Sequence, residues 1–266
     1  MEEKRITEIQ NKVVALLGEM RLKEAIEVLG TEIDTLQDWE LRTRFNEMQT
    51  AYRYMLEYLC KGMPDPDRER LHSELTGKCY MLNDLIAVAR LNEQSMKVYC
   101  QMRRKYRNFE ELQRLYSALK ENSANMAITR TLPQEDCMSV KSQLVKEHEL
   151  LLPKLFAAVW SSSNWNRSNA EKIVEIVLDR EIDACDRATV TGAIMLSMLK
   201  CFEPLKAIAL CRIATCDNTL LATRAITALV IVLFKYEARI VYYPELLSAI
   251  EVLKEDAAFM RRIQTI

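Results

Sequence analysis

Apolar side chains recur at every third or fourth position along almost the whole of this 266-residue chain, the period that gathers them on one face of a helix. Only 5 glycines and 6 prolines occur, too few to supply the tight turns that a set of strand hairpins demands. The expected fold class is therefore all-α. Ile6, Ile9, Val13, Leu16 and Leu17 form a first stripe. After Gly18-Glu19-Met20-Arg21 a second begins with Leu22, Ala25, Ile26 and Leu29, before Gly30. Two short stripes across one turn predict a helical hairpin.

The pattern continues downstream. Trp39, Leu41, Phe45, Met48, Tyr52, Met55, Leu56 and Leu59 trace a helix from Asp38 that ends at Gly62 and Pro64. Pro64-Asp65-Pro66-Asp67 predicts a turn and an N-terminal cap. Arg68 to Tyr106 reads as one long helix, or as two broken near Leu91-Asn92. Asn108 caps a helix whose early Glu110 and Glu111 suit the positive end of the helix dipole and whose stripe is Leu112, Leu115, Tyr116 and Leu119. Apolar density falls from Ser123 to Glu135 around Pro133, so the softest boundary is expected there. Beyond it lie helices over Leu150–Trp160, Ala170–Leu178, Val190–Leu199, Pro204–Ile213, Leu220–Phe234 and Pro244–Leu253, with a polar loop at Ser161–Asn164. The strongest apolar run, Ile226–Phe234, is about half the ~20 residues of a membrane span. It is expected to be a helix buried on all sides, which requires neighbours in a layered stack.

Charge narrows the function. Thirty-seven basic and 38 acidic side chains leave a formal net charge of -1, and the balance holds on both sides of Pro133. No global field favours a polyanion or an anionic membrane, so neither nucleic acid nor membrane is the expected partner. The eight cysteines, Cys60, Cys79, Cys100, Cys137, Cys185, Cys201, Cys211 and Cys216, stand singly in apolar helical contexts and are expected to be reduced core thiols. The N-terminus leads into an amphipathic segment instead of a signal's apolar core. Cytoplasmic residence is the expectation.

Two resemblances give the architecture. Leu17-Gly18 followed by Lys23-Glu24-Ala25-Ile26-Glu27 resembles the hinge of a tetratricopeptide (TPR) unit, in which a small residue lets two helices approach and an alanine packs in the second. In the second half, Val190-Thr191-Gly192-Ala193-Ile194 matches Ala222-Thr223-Arg224-Ala225-Ile226 at a spacing of 32. Pro204, Ala209 and Leu210 match Pro244, Ala249 and Ile250 at 40, which places an insertion around Tyr236–Tyr243. A capped first helix, a short turn and a proline-started second helix resemble HEAT and armadillo repeats. The resemblance implies stacked antiparallel hairpins forming an α-α superhelix, a solenoid. Residues 1–133 would be irregular TPR-like hairpins and 134–266 HEAT/armadillo-like repeats. The end Phe259–Ile266 lacks the polar cap of a terminal repeat, which leaves room for further repeats of a longer chain.

No residue pattern points to chemistry. His72 and His148 match no ligand or general-base spacing, no Cys-x-x-Cys occurs, and Ser161-Ser162-Ser163 lacks the strand-turn-helix setting of a nucleophile. Asp65/Asp67 and Asp183/Asp186 sit where helix caps are expected. No catalytic residue, metal or cofactor is therefore assigned. Candidate partner contacts are the basic cluster Arg103, Arg104, Lys105 and Arg107, which also complements a helix C-terminus, and the turn aromatics Trp165, Tyr242 and Tyr243. The expected function is a non-enzymatic protein- or peptide-binding scaffold. The alternatives are a HEAT-like nucleic-acid binder and the non-catalytic part of a longer enzyme.

Overall fold

A computed structural model describes residues 2–62, 65–94, 97–106, 109–131 and 134–265, the side chains of 2–3, 93–94 and 134–137 excepted. Among the described residues the chain is all-α, with fourteen helices and no strand. They are α1 (Glu2–Gly18), α2 (Leu22–Asp34), α3 (Trp39–Cys60), α4 (Arg68–Gln94), α5 (Val98–Lys105), α6 (Phe109–Thr129) and α7 (Gln134–Ser161). Then follow α8 (Arg167–Leu178), α9 (Ala184–Met198), α10 (Pro204–Ala214), α11 (Thr219–Lys235), α12 (Glu237–Ile240), α13 (Pro244–Glu255) and α14 (Ala257–Ile263). Local chemistry sets many of their ends. The carboxylate of Asp38 accepts the amides of Glu40 and Leu41, Asn166 accepts that of Asn169, Asp183 that of Cys185 and Asp256 that of Phe259. Each satisfies amides that a helix start leaves without an acceptor. Pro204 opens α10, where a missing N–H costs nothing, and Gly62 adopts a positive φ of 64° just past α3.

The chain forms two compact units. The first comprises Met1–Met96, Lys200–Phe202 and Tyr236–Leu247; the second comprises Lys97–Leu199, Glu203–Lys235 and Ser248–Ile266. In the first, α4 packs against α1, α2 and α3, and for that reason buries Leu75, Cys79, Tyr80, Leu82, Leu85 and Ile86 around most of its circumference. Each such side chain withdrawn from water is worth about 1.5–3 kcal/mol. Polar ties fix the register: Asn83 Nδ2 donates to Gln10 O at 3.1 Å, and Arg90 donates to the carbonyl and carboxylate of Glu32, both at 3.1 Å.

In the second unit α7 packs on α5, α6 and α9, and α9 packs on α11. α8 lies against α10, and α10 against α11. Two short turns reverse the chain between α9 and α11, so these helices run in the same direction. Their C-terminal ends meet where Lys235 Nζ donates to Leu199 O at 2.6 Å.

Several expectations change. α2 does not stop before Gly30 but runs through it to Asp34. The close helix approach is at Gly30, where a Cβ would stand 3.0 Å from Phe45 Cζ, and not at Gly18, where one would meet nothing within 4 Å. Of the two arrangements expected over Arg68 to Tyr106 the chain takes two helices, α4 ending at Gln94 and α5 beginning at Val98, a few residues past Leu91-Asn92. The polar stretch after Ser123 is helical as far as Thr129, and α7 begins at Gln134; α6 and α7 pack on each other within one unit. Pro153 sits inside α7 with Glu149, whose carbonyl it cannot bond, four residues before it; both are exposed. Asn108 and Pro133 lie outside the described residues. The described cysteines are free thiols, but Cys60 and Cys185 are exposed and not in the core.

Candidate partner-binding surfaces

Tyr242 and Tyr243 belong to the first unit and point inward. The segment Tyr236–Tyr243, where the spacing of matched residues changes, carries the short helix α12. It is held by a buried ion pair: Arg239 Nη1 donates to Asp84 Oδ2 at 2.7 Å, and the same oxygen accepts the Phe202 amide at 3.0 Å. The guanidinium lies between the rings of Tyr80 and Tyr236, 4.8 and 4.9 Å from their centroids. Burial alone would lower the Arg239 pKa, and the Asp84 carboxylate outweighs it, so the charge is secured. Tyr242 packs on Tyr80 at 5.8 Å, Tyr243 on Phe202 at 5.5 Å, and the Tyr243 hydroxyl donates to Gly77 O at 3.0 Å. Gly77 has no Cβ because Tyr242 Cβ would stand 3.3 Å from it. Burial pushes the Tyr80, Tyr236 and Tyr243 hydroxyls above their ordinary values and keeps them neutral.

Trp165 is likewise a packing residue, 6% exposed in the second unit. Its amide donates to Glu203 Oε2 at 3.0 Å and its indole Nε1 to Ser162 Oγ at 2.8 Å. Lys206, fully buried, stands 5.1 Å over the ring. Its ammonium spends three hydrogens on Glu203 Oε1 at 2.9 Å, Ser197 Oγ at 2.7 Å and Ser162 O at 2.7 Å. With every donor occupied the cluster ties the loop after α7 to α9 and α10, and leaves no hydrogen to offer a ligand.

The basic residues occupy the last turn of α5. Arg104 and Lys105 are exposed, and Lys105 Nζ lies 5.1 Å over the Tyr106 ring. Arg103 is half-buried, with Nη1 sealed from solvent and without an acceptor among the described residues. Arg107 lies outside the described residues. Two further polar links hold α6 and α7 in place. The Tyr116 hydroxyl and Lys120 Nζ both donate to Asp179 Oδ2, the second at 2.9 Å, and His148 Nε2 meets Asp186 Oδ2 at 2.7 Å. Burial would raise the Asp179 pKa, but the bonds from Tyr116 and Lys120 bring it below the ordinary value. Burial and that same bond raise the Tyr116 hydroxyl to about 12.

Apolar and aromatic side chains face solvent at several places, among them Trp39, the α7 residues Met138, Val140, Val145 and Leu150, and groups on α3 and α11. On α3, Tyr54, Tyr58 and Leu59 are about half exposed, and Arg53 stands 5.8 Å over the Tyr54 ring. On α11, expected to be buried on every side, Val230 and Ile231 are 45% and 40% exposed and Phe234 83%. An open groove of about 580 Å³ also runs along the α1–α2 hairpin, lined by Lys12, Leu16, Arg21, Glu24 and Val28 among others. Arg21 there is bound to Glu19 and Glu24.

The α11 surface eluded the sequence pattern for a physical reason. An apolar run requires cover without saying on how many sides the fold supplies it. A usable signal exists in the burial rhythm of α9 and α11, which coincides at an offset of 35, not 32. Exposed Cys185, Thr189 and Leu196 fall on exposed Leu220, Arg224 and Ile231, and buried Asp186, Val190, Ala193 and Ser197 fall on buried Leu221, Ala225, Ala228 and Val232.

Among the described residues no group of three or more His, Cys, Asp and Glu side chains could hold a metal ion, and no helix is long and apolar enough to cross a membrane. Burial drives the Cys79 and Cys211 thiols up to about 12, far from the reactive thiolate. No family model, no curated protein and no solved structure matches this chain.

Proposed function

We propose that this chain is a non-enzymatic protein-binding scaffold, an α-solenoid with TPR-like hairpins first and HEAT-like repeats after them. The observation that carries the reading is the recurrence of one burial pattern on α9 and α11, parallel neighbours offset by 35 residues. A unit that repeats by translation buries each helix against the preceding one and presents the same stripe outward each time. The packing of α7 on α9 and α9 on α11, with α8 against α10, supports two such layers. The polar clusters of Arg239 and Lys206 are saturated by internal partners and serve the scaffold, while apolar and aromatic side chains stand at the surface on α3 and α11. Protein partners suit such surfaces, since Tyr and Arg, both present on α3, are among the residues that supply most of the energy at protein interfaces. A net charge of -1 favours protein over nucleic acid.

The test is affinity capture of the full chain from its native cells after chemical cross-linking, with partners and cross-linked residues read by mass spectrometry. A reproducible, near-stoichiometric protein with cross-links on exposed helix faces supports the proposal. Repeated recovery of no protein, or of nucleic acid alone, overturns it.

A further inference from the structure

Three basic side chains are buried among the described residues, and two of them have their charge answered. Lys206 is bonded to Glu203, Ser197 and Ser162, and Arg239 to Asp84. Arg187, in the first turn of α9, is the third: it is 8% exposed, and none of its side-chain nitrogens meets an acceptor among the described residues. Packing does not require a charge here. At 100° per residue Arg187 stands at the head of the stripe Thr191, Ile194 and Met198, all fully buried, and at the offset of 35 its counterpart on α11 is the buried Ala222. The carboxylates near it in the chain are committed elsewhere: Asp179 to Tyr116 and Lys120, Asp183 to the Cys185 amide, Asp186 to His148. Glu181 lies 3.3 Å from Lys120. A buried guanidinium left without an acceptor is costly, and of its three nitrogens only Nε is sealed from solvent. Nη1 and Nη2 therefore form the edge that an incoming acceptor can reach.

We propose that Arg187 is the receptor for a carboxylate of a protein partner, taken end-on by Nη1 and Nη2 as a bidentate pair. The proposal rests on the reading of the chain as a protein-binding scaffold and names the residue that anchors one group of the partner. α9 is 15 residues long, and the amide ends of its first turn favour negative charge as well. The charge balance selects a monoanion. Residues 179–187 carry Asp179, Glu181, Asp183 and Asp186 against Arg180 and Arg187, and Arg180 faces Asp217 at 3.4 Å. One uncommitted cation set among carboxylates suits a single negative charge and disfavours the second charge of a phosphate. The narrow opening over a residue 8% exposed admits one projecting group, an Asp or Glu side chain or a chain terminus.

The experiment follows the Arg187 Nε–H signal of the full chain, isotope-labelled at arginine nitrogen, by NMR, with Arg187→Lys and Arg187→Met supplying its assignment. The probes are N-acetylglycine, which presents a chain-terminal carboxylate, and the α-amide of N-acetylglutamic acid, which presents a side-chain one. Chloride and inorganic phosphate at equal ionic strength are the controls. A saturable shift of that signal by a carboxylate is expected, with chloride roughly tenfold weaker because it cannot take two N–H bonds in parallel, and with phosphate no tighter. The tighter of the two carboxylates names its source in the partner. The titrations use the parent chain, so they do not depend on how the variants fold. No shift with either carboxylate, a response equal to that of chloride, or tighter binding of phosphate overturns the proposal. A carboxylate site in a chain that captures no protein from cells would remove the scaffold reading and keep the site. A captured partner that Arg187→Lys does not weaken, together with no carboxylate shift, removes this site and leaves the scaffold reading standing.

Discussion

Replacing Lys206 with methionine takes away an ammonium that is fully buried and bonded to Glu203, Ser197 and the Ser162 carbonyl. Met fills most of the volume, so the loss is electrostatic. Glu203, 6% exposed, keeps only the Trp165 amide as a donor to its side chain, and the carbonyl and hydroxyl lose an N–H each. Breaking one member of a buried ion pair costs roughly 3–5 kcal/mol, which in a unit of this size lowers the melting temperature by roughly 10 °C. The second half of the experiment removes the stranded carboxylate as well. Lys206→Met with Glu203→Gln should be less damaging than the sum of the two single changes by about 1–3 kcal/mol, because the two groups act as one network. Urea unfolding followed by tryptophan fluorescence, with calorimetry as the check on cooperativity, reads both values. A cost below about 1 kcal/mol for Lys206→Met, or simple additivity in the double variant, would refute the assignment of the cluster as the clamp of the Trp165 loop.

Three further outcomes follow from the packing. Asp84→Ala strands the Arg239 guanidinium and the Phe202 amide, so hydrogen exchange should accelerate across residues 200–202 and 236–247, with a cost of roughly 3–5 kcal/mol; unchanged protection there would show that the insertion is held by its aromatic rings alone. Asp179 titrates below its ordinary value in the folded chain, so protonation favours unfolding. Its contribution is fully present above about pH 4, the ordinary Asp value, and is lost as pH falls below that through the lowered folded-state value. Asp179→Asn should flatten the acid limb of the stability profile, and an unaltered limb would remove this carboxylate from the account. Gly30→Ala sets a helix-propensity gain of about 1 kcal/mol against overpacking of about 1–3 kcal/mol on the buried Phe45 ring. It should be net destabilising, whereas Gly18→Ala, in open space, should be neutral or better; thermal melts in the reverse order would contradict the close approach.

The helices and many of their ends are written in the chain because both depend on neighbours within about four residues. An apolar stripe recurs at helical spacing, and a side-chain oxygen at Asp38, Asn166, Asp183 or Asp256 meets an amide two or three positions on. The segment between α11 and α13 was legible for the same local reason, as a change in the spacing of matched residues. Its destination was not, because Arg239 finds Asp84 155 positions away and a periodic pattern carries no information about which distant carboxylate will face a cation. The turn aromatics show the same limit: Trp165, Tyr242 and Tyr243 have the composition of partner anchors, and only the arrangement of Glu203, Tyr80 and Phe202 around them makes them packing residues. The α11 strip is the converse case. Its apolar content is fixed by the sequence, but exposure is a property of what lies beside a helix, and Val230 and Phe234 remain 45% and 83% exposed in the packed chain. The sequence by itself determined that this chain would be helical and where most helices start and stop. Which charges pair, which segment joins which unit and which apolar face remains open were decided by tertiary packing, since those depend on contacts between residues that the chain order keeps far apart.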